Sequence, residues 1–589
     1  MSAIKYKVEL LDLNSHYFQV SLIIQKPSIQ QGFMMPAWIP GSYVIRDFAK
    51  QLSSLTFSQD GMPIAFRQTK NNEWLVPTRS SGGALTVSYC IYAFDKSVRG
   101  AFLDTARGFF NATSLCLCPV GFESEAFHLE IVNPKLDWQL VTGLTPTKGT
   151  NRYEFGCYQA KNYAQLIDCP VLMGNLIIKS FKIQDVVHDI AISGEQEGDF
   201  ERLAQDVNTL CETQVHFFKT LPKEVDYYCF LLQVSHEGYG GIEHVNSASL
   251  LTHKFAIPDR GIPEKTKAYI ELLGLFSHEY FHLWMVKQIK PVVFLNYDLT
   301  QPNYTTQLWA FEGFTAYYDD LMLVRSGLIT QAQYFSILTE NMNKLIKTPG
   351  RQYQTLKSAS FDAWIKFYKP DENSLNRTVS YYLKGALLAL CCDLQLRIAS
   401  NHKRNLDEIM RILWQDYGQI GRGLEEGEIE KLIEQYAQEP ENTSIKNLLD
   451  KALNQTEELP LEAILTSFGL ELKPNLNTSL HAKELDLGVK LSESHGMVLC
   501  HEVYQGSIFN SLGIQPGDIL VACQDHRVTY QNYLTLFQRY VNQTVNIAVF
   551  REGKLVILSG FILPDFIRHL ELNAIPGSEY NINKWLLAS

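Results

Sequence analysis

The chain has 589 residues, more than one hydrophobic core can organise, so we expect about three or four domains. Its net charge is −11 and it has no nucleic-acid-type run of lysine and arginine, which disfavours a nucleic-acid partner. The sequence shows neither an apolar signal segment nor a stretch of about 18 uncharged apolar residues, so we expect a soluble, cytoplasmic protein without a membrane partner. The 11 cysteines are interpreted as reduced core thiols.

Residues 1–170 alternate apolar and polar side chains, which predicts an N-terminal, sandwich-like β domain. Within this domain, the segment from Trp38 to Phe48 contains Pro40 and Gly41 and is preceded by Pro36. Two prolines and a glycine predict a shaped loop rather than a strand. The loop is either a packed turn or a loop on the substrate side of a site.

Residues 171–255 predict further strands, with one helix between them near Asp199 to Leu221. The last strand leads into a glycine-rich lip in which Gly240 and Gly241 allow another backbone or a ligand to come close. Glu243 and His244 follow directly and would project from this lip. The alternative is a hairpin with exposed polar residues.

A helix predicted from Leu272 to Lys287 carries His278 and His282, four residues apart. At 3.6 residues per turn the two imidazoles lie one above the other and can aim at one ion. Glu279 points about 100° away from His278, so it can reach water at the metal without binding the metal itself. The alternative is a pair of ordinary histidines on a buried helix.

A third metal ligand is predicted in the apolar helical run that begins at Leu308. Glu312 lies in this run, and a buried carboxylate must be paired or bound to a metal. Asp319 is two turns further along the same face and could accept the outer N–H of a ligand histidine. The alternative for Asp319 is a solvated helix acid.

A further apolar helix is predicted from Ser380 to Arg397 and carries Tyr381 and Tyr382 in its first turn. A phenol that extends into a cleft could stabilise an oxyanion, whereas a core tyrosine is the alternative. Amphipathic helices then continue to Phe468 and complete the helical block of residues 256–472.

The motifs resemble those of gluzincin aminopeptidases, in the same order along the chain. They are Gly-Gly-Ile-Glu-His from Gly240, His-Glu-x-x-His-x-Trp from His278, Trp-x-x-Glu-Gly-Phe-Thr-Ala-Tyr from Trp309 and Tyr-Tyr-Leu-Lys-Gly from Tyr381. The 29 residues between His282 and Glu312 exceed the spacer of the aminopeptidase N branch, and His244 stands where that branch has asparagine. Both departures, with the Trp38–Phe48 loop, resemble the glycyl aminopeptidase family, which carries a PDZ domain.

The resemblance implies a multidomain α+β protein with a thermolysin-like (gluzincin) catalytic domain and a helical lobe. It implies a Zn²⁺ cofactor held by His278, His282 and Glu312, with Glu279 as general base. Tyr382 is the implied oxyanion donor, because it immediately precedes Leu-Lys-Gly. Tyr381 and His244 are further possible oxyanion or substrate contacts.

The resemblance also implies the substrate. Glu243, with Gly240 and Gly241, would bind the α-ammonium of peptides that have a free N-terminus, and the family implies release of small residues, glycine and alanine. The alternatives are a zinc endopeptidase and a catalytically silent PDZ scaffold. The sequence makes no prediction about the oligomeric state.

Residues 473–565 resemble a PDZ domain, with Leu487-Gly488-Val489 as a carboxylate-binding loop. Such a groove binds a peptide by adding a strand to a sheet edge; the alternative is a packing module with a closed groove. The tail, residues 566–589, is predicted to pack back on the body through Trp585 and Leu586.

Overall fold

Strands dominate the N-terminal third of the chain. The computed structural model describes residues 4–79, 82–194, 197–437, 444–474, 485–563 and 570–587. The first helix, α1, is Tyr163–Ile167. The strands of this part are β1 (Ile4–Asp12), β2 (Tyr17–Ile24), β3 (Gln30–Met34), β4 (Leu52–Gln59), β5 (Met62–Pro63), β6 (Arg67–Lys70), β7 (Glu73–Pro77), β8 (Leu85–Tyr92), β9 (Ala101–Leu103), β10 (Arg107–Phe110), β11 (Cys118–Pro119), β12 (Phe127–Ile131), β13 (Gln139–Thr142), β14 (Thr145–Pro146), β15 (Gly156–Ala160) and β16 (Val171–Gly174).

These strands form three sheets. The largest has the order β14-β15-β12-β1-β2-β8-β4-β5, and the others are β13-β16-β10-β9 and β11-β3-β7-β6. In the large sheet β1 pairs in parallel with β12 and antiparallel with β2. Side chains of β2 alternate strictly between buried and half-buried, which is the pattern of a sheet with one face on a core. The predicted β-rich N-terminal domain is therefore confirmed.

A separate five-stranded sheet follows. Its elements are β17 (Ile177–Ile183), β18 (Val186–Ser193), α2 (Phe200–Phe218), β19 (Tyr227–Ser235), β20 (Gly240–Glu243), β21 (Ser247–His253) and α3 (Lys267–Phe281). The order is β17-β18-β19-β21-β20. The central strands run parallel, and β19 is buried on both faces, as expected for a covered parallel sheet. Strand β20 pairs antiparallel with β21 and forms one edge.

Helices make up the region from residue 308 to 468. They are α4 (Leu308–Arg325), α5 (Gln331–Ile346), α6 (Leu356–Phe361), α7 (Ser374–Arg377), α8 (Tyr381–Ser400), α9 (Leu406–Leu413), α10 (Glu428–Ala437), α11 (Ser444–Asn454) and α12 (Leu461–Phe468). Gly469 ends α12 in the left-handed conformation that glycine adopts without steric cost. The predicted multidomain α+β class with a helical region is thus confirmed. No helix in the described ranges has the length and apolar composition needed to cross a bilayer.

The C-terminal region folds around a further sheet with its own apolar core. Its elements are β22 (Leu470–Pro474), β23 (Val489–Ser494), β24 (Met497–Val503), α13 (Ile508–Ser511), β25 (Ile519–Cys523), β26 (His526–Arg527), α14 (Tyr533–Gln538), β27 (Thr544–Arg551), β28 (Lys554–Phe561), β29 (Leu570–Ala574) and α15 (Glu579–Leu586). The sheet order is β23-β24-β25-β27-β28, with β26 beside β25, while β22 pairs with β29. The Nε1 of Trp585 donates to the hydroxyl of Tyr317 at 2.9 Å.

The chain divides into two compact units. One contains Met1–Tyr304, Tyr318–Ile329 and Met410–Glu425, and the other contains Thr305–Tyr317, Thr330–Ile409 and Glu426–Ser589. Helix α4 therefore supplies residues to both. The predicted division at residues 170, 255, 472 and 565, the PDZ identity of residues 473–565 and the tail 566–589 stay predictions.

Candidate metal centre and active site

Helix α3 places the two histidines. Thr266 caps the helix by accepting a hydrogen bond from the backbone N–H of Tyr269, so the helix begins at Lys267 and not at Leu272. It ends at Phe281 rather than at Lys287, and His282 is its C-cap in a right-handed conformation. Because His282 still completes the last turn, its Nε2 lies 3.1 Å from the Nε2 of His278.

The outer nitrogen of each imidazole is held by an acceptor. The Nδ1 of His278 lies 2.9 Å from Oδ2 of Asp319, and the Nδ1 of His282 lies 3.2 Å from the carbonyl oxygen of Met285. Each acceptor fixes the Nδ1–H tautomer and leaves Nε2 unprotonated and able to bind a metal. The Asp319 segment is also fixed, because the hydroxyl of Ser277 donates to its carbonyl oxygen at 2.7 Å.

Glu312 places a third potential ligand atom near the two histidines. One ligand atom from each of His278, His282 and Glu312 lies within 4.8 Å of the others. Glu312 is only 2% exposed, so its carboxylate is costly to bury without a cation. It stands two helical turns before Asp319 on α4, and the same helix therefore carries both the third ligand and the acceptor for His278.

The placement of Glu312 depends on a close crossing of α4 and α8. A Cβ atom on Gly313 would lie 2.7 Å from the Cα of Gly385, and one on Gly385 would lie 2.4 Å from the carbonyl oxygen of Trp309. Neither distance is compatible with a side chain, so the two backbones touch. The residues next to these glycines, Glu312 on α4 and the tyrosine pair on α8, are positioned by this contact.

Tyr381 and Tyr382 differ in their surroundings. Tyr381 is fully buried, whereas Tyr382 is half-buried and its hydroxyl lies 3.1 Å from the hydroxyl of Tyr368. The two rings stack on each other at 4.8 Å, and Phe367 packs on both. A donor to an external oxyanion must have an accessible hydroxyl, which favours Tyr382 over Tyr381.

Glu279 is buried against the edge strand of the five-stranded sheet. A Cβ atom on Gly241 would lie 2.1 Å from its Oε1, so only glycine leaves room for this carboxylate. The carboxylate is 5% exposed and adjoins the histidine pair, so it can accept a proton from a reacting water. The edge strand therefore borders the predicted general base.

Glu243 lies two residues further along this strand and is also buried. Its Oε1 has no hydrogen-bond partner among the described residues. Gly41, from the predicted shaped loop, packs directly on it, because a Cβ atom there would lie 2.7 Å from both carboxylate oxygens. A buried carboxylate with a free acceptor is suited to bind an ammonium group.

Two family models match the chain. One is described as the Peptidase M61 N-terminal domain and matches residues 5–175, and the other is described as M61 glycyl aminopeptidase and matches residues 271–388. A crystal structure described as an aminopeptidase N family protein from Idiomarina loihiensis is 34% identical, covers 99% of this chain and 100% of that chain, and has a TM-score of 0.94. The chain belongs to the M61 glycyl aminopeptidase family.

Other solved structures are less similar. An M1 zinc metallopeptidase from Deinococcus radiodurans is 12% identical, covers 78% of this chain and 94% of that chain, and has a TM-score of 0.47. A mutant of an M1 zinc metallopeptidase from the same organism, bound to a Tyr-Ser-Ala substrate, is 11% identical and also has a TM-score of 0.47, with 78% and 94% of the two chains covered. No curated protein sequence matches the chain.

The M61 family supports a metallo-aminopeptidase, and the ligand set fits the Zn²⁺ that the family implies. Two imidazoles bound to a tetrahedral zinc at about 2.0–2.1 Å place their nitrogens roughly 3.3 Å apart, close to the observed 3.1 Å. Two nitrogens and one carboxylate oxygen are also the ligands of catalytic zinc sites that keep a fourth position for water. The predicted cofactor is therefore confirmed for this M61 member.

His244 faces away from Glu243. Successive side chains of a strand point to opposite faces, and Gly241 and Glu243 share the face that borders Glu279. The Nδ1 of His244 lies 3.2 Å from Oδ1 of Asp168. His244 thus supports the end of the edge strand, and this placement does not favour the predicted oxyanion or substrate contact.

Asp168 contacts both His244 and the buried Lys287, and the sequence did not predict this contact. The ammonium of Lys287 donates to Oδ1 of Asp168 at 2.8 Å. Burial alone would raise the pKa of Asp168, but the charge of Lys287 and the hydrogen bond with His244 hold it well below its usual range. Burial alone would lower the pKa of Lys287, but Asp168 raises it above its ordinary value. No local pattern links residues so distant in sequence.

One backbone donor of the predicted carboxylate-binding loop is already occupied. The N–H of Gly488 donates to Oδ1 of Asp486 at 3.1 Å, and Gly488 adopts a φ of +59°. The carbonyl oxygen of Leu487 accepts from the N–H of Phe509, and Val489 begins β23 at the edge of the C-terminal sheet. A peptide carboxylate that binds the N–H of Gly488 would have to displace the side chain of Asp486.

Proposed function

We propose that this M61 protein is a zinc aminopeptidase that releases small N-terminal residues, glycine and alanine, from peptides. The observation that carries the proposal is the position of Glu243. Its free carboxylate oxygen lies on the strand that also borders Glu279, two residues from Gly241. A carboxylate fixed beside the general base can bind the α-ammonium of a substrate. An internal peptide bond carries no such positive charge.

His278, His282 and Glu312 would hold the metal, and Asp319 would keep His278 in the tautomer that binds it. When bound, Zn²⁺ lowers the pKa of water toward neutrality and polarises the substrate carbonyl. The roles of the protein side chains follow from their positions around these three ligands.

Glu279 acts as the general base and then as the general acid. Its carboxylate, confined beside Gly241, takes a proton from the attacking water and delivers it to the leaving amine. Glu243, together with the glycines Gly240 and Gly241, holds the α-ammonium. The hydroxyl of Tyr382 donates a hydrogen bond to the oxyanion that develops on the carbonyl.

The preference for small residues is supported by the loop from Trp38 to Phe48. Gly41 of this loop lies against the carboxylate of Glu243 and limits the space beside the amine site. The loop itself is held in place: the Nε1 of Trp38 donates to the carbonyl oxygen of Asp298 at 2.8 Å. A loop held in place next to the α-ammonium leaves little space for a large side chain on the first residue of the substrate.

The test combines metal content with cleavage of glycyl and alanyl naphthylamides. The wild-type protein is expected to contain one equivalent of zinc per chain and to cleave both compounds, and His278→Ala is expected to lose both properties. Cleavage of N-acetylated peptides at the rate of free peptides would instead indicate an endopeptidase and remove the role of Glu243. Absence of both zinc and hydrolysis would indicate a silent scaffold.

For the C-terminal region we propose a PDZ domain whose groove lies along β23. The edge position of β23 supports this role, since an edge strand can accept an extended peptide. The module is joined to the helical region by Asn376, whose amide donates to the carbonyl oxygen of Val503 at 2.9 Å and accepts from the N–H of Gln505 at 2.8 Å.

A further inference from the structure

A half-buried arginine, Arg99 from the segment between β8 and β9, contacts the edge strand β20 at the glycine that packs on Glu279. The Nη2 of Arg99 donates to the carbonyl oxygen of Gly241 at 2.8 Å, and a Cβ atom on Gly240 would lie 3.5 Å from its Nη1. Within the described ranges, Arg99 has no ion-pair partner, and its buried Nε has no hydrogen-bond acceptor. A partly desolvated guanidinium without a counter-charge is the kind of group that binds an anionic ligand.

The residues of β20 that Arg99 contacts indicate which part of a substrate it would meet. Glu243 marks the amine end, Glu279 packs on Gly241, and Arg99 lies at Gly241 and Gly240. Each strand residue spans about 3.4 Å, so Glu243 and Gly241 are about 7 Å apart along the strand. A peptide whose amine is at Glu243 and whose scissile bond is at Glu279 therefore continues toward Arg99.

We propose that Arg99 binds the C-terminal carboxylate of short peptide substrates. The proposal rests on the aminopeptidase function and adds a preferred substrate class, namely peptides of about two to four residues with a free carboxyl group. The Nη2 of Arg99 is no more than about 8 Å from the carboxylate of Glu279, because only the Gly241 residue separates them. That distance is covered by about two extended residues beyond the scissile bond.

The guanidinium suits this ligand better than an ammonium would. It is planar and presents parallel N–H donors that match both oxygens of a carboxylate. The hydrogen bond to Gly241 fixes the side chain in advance, so little conformational entropy is lost when a carboxylate binds. The remaining Nη1 donors and the half-exposed surface of Arg99 are then available to the substrate.

The experiment compares triglycine with triglycine amide, which share the α-ammonium and differ only at the C-terminus. In the wild-type protein, kcat/KM for the free acid is expected to exceed that for the amide by about 10- to 100-fold. Arg99→Gln, which can still bond to Gly241, is expected to abolish this difference, and Arg99→Lys to retain part of it. Any loss on glycyl naphthylamide, which has no carboxylate, is expected to be at least about tenfold smaller than the loss on triglycine in Arg99→Gln.

Arg107 provides a matched control. It is half-buried, its guanidinium stacks on Phe102 at 4.6 Å, and its Nε also has no acceptor among the described residues. Arg107→Gln is expected to leave the ratio of acid to amide unchanged. Equal wild-type rates on the acid and the amide would overturn the proposal, as would an equal loss on all three substrates in Arg99→Gln. Failure of the wild-type protein to cleave glycyl naphthylamide would instead overturn the aminopeptidase function.

Discussion

The backbones of Gly313 and Gly385 touch where helices α4 and α8 cross. The two glycines belong to separate motifs: Gly313 follows the proposed metal ligand Glu312, and Gly385 lies shortly after the tyrosine pair Tyr381 and Tyr382. Their contact brings the two motifs together, because any Cβ at this crossing would push the helices apart. The glycines therefore set the position of the proposed ligand Glu312 through the packing of the two helices.

We expect Gly385→Ala to impair both the metal centre and the fold. A Cβ atom would lie 2.4 Å from the carbonyl oxygen of Trp309, a backbone atom that cannot rotate away. Overpacking of this kind costs about 1–3 kcal/mol, and a shift of α4 would move Glu312. The measurements are the thermal midpoint and the zinc affinity by competition with a chelator, and both are expected to fall.

Gly274 is the control for this substitution. It lies in helix α3, where the nearest atom to an added Cβ is Oδ1 of Asp320 at 3.7 Å, an ordinary contact. Gly274→Ala is expected to keep zinc affinity and to gain about 0.5–1 kcal/mol from helix propensity. Equal behaviour of the two variants would contradict the importance of the crossing.

Residues that act through local spacing could be predicted from the sequence. The shared orientation of His278 and His282 follows from their spacing of one helical turn. Glu312 can be predicted as a ligand because a carboxylate in an apolar run requires a partner. The sequence predicts that α3 extends to Lys287, whereas the helix ends at Phe281. The difference arises because Leu283 to Met285 are buried without being helical. An apolar run does not distinguish these two states.

Contacts between distant residues could not be predicted. The sequence indicated a shaped loop at Gly41 but not that this glycine packs on Glu243, and no pattern pointed to the ion pair of Asp168 and Lys287, which are 119 positions apart. Such contacts depend on how strands and loops of different regions pack. A sequence pattern reports the period of an element but not its neighbour.

Asp319→Asn is expected to weaken zinc binding by about 10- to 100-fold. The carboxylate of Asp319 holds the Nδ1 of His278 at 2.9 Å, and a neutral amide supports the metal-binding tautomer less strongly. Zinc affinity is measured by chelator competition. The neighbouring Asp320→Asn is the control, and a loss of the same size there would contradict a specific role for Asp319.

Glu279→Gln is expected to lower kcat by about 10²–10⁴ while zinc is retained. The amide cannot accept the proton of the attacking water, but the ligand set of His278, His282 and Glu312 is intact. Rates on alanyl naphthylamide and metal content are measured on the same preparation. Glu271→Gln, on an exposed turn of the same helix, is expected to match the wild type. Loss of zinc in the Glu279 variant would contradict its assignment as the base.

Gly41→Ala is expected to raise KM for peptides with a free amine at least about tenfold. The new methyl group would lie 2.7 Å from both oxygens of Glu243, and this carboxylate would have to move. Gly41 has a φ of +93°, so backbone strain contributes as well. Gly121→Ala separates the two effects: its φ is +87°, and nothing lies within 4 Å of an added Cβ. An equal rise in KM for both variants would assign the effect to strain alone.

Asp168→Asn is expected to destabilise the fold by about 3–5 kcal/mol at pH 7, because Lys287 is left as a buried charge without a counter-ion. The pKa of Asp168 is lowered in the folded state, so its contribution is present above its unfolded pKa of about 3.9 and is lost as pH falls through the folded value. The pKa of Lys287 is raised, so its contribution is lost only as pH rises above about 10.4 and through the folded value.

The difference in thermal midpoint between wild type and Asp168→Asn should therefore be largest near neutral pH and should shrink in acid, where Asp168 becomes protonated. It should also shrink as pH rises, because burial without Asp168 lowers the pKa of Lys287 in the variant and lets the ammonium lose its charge. The double variant Asp168→Asn with Lys287→Met removes the orphaned ammonium and is expected to recover most of the lost stability. If the double variant were as unstable as the single one, the damage would come from the lost support of His244 and Val245, whose N–H donates to Oδ2 of Asp168 at 2.7 Å. The comparison thus separates the charge of Lys287 from the positioning of the edge strand.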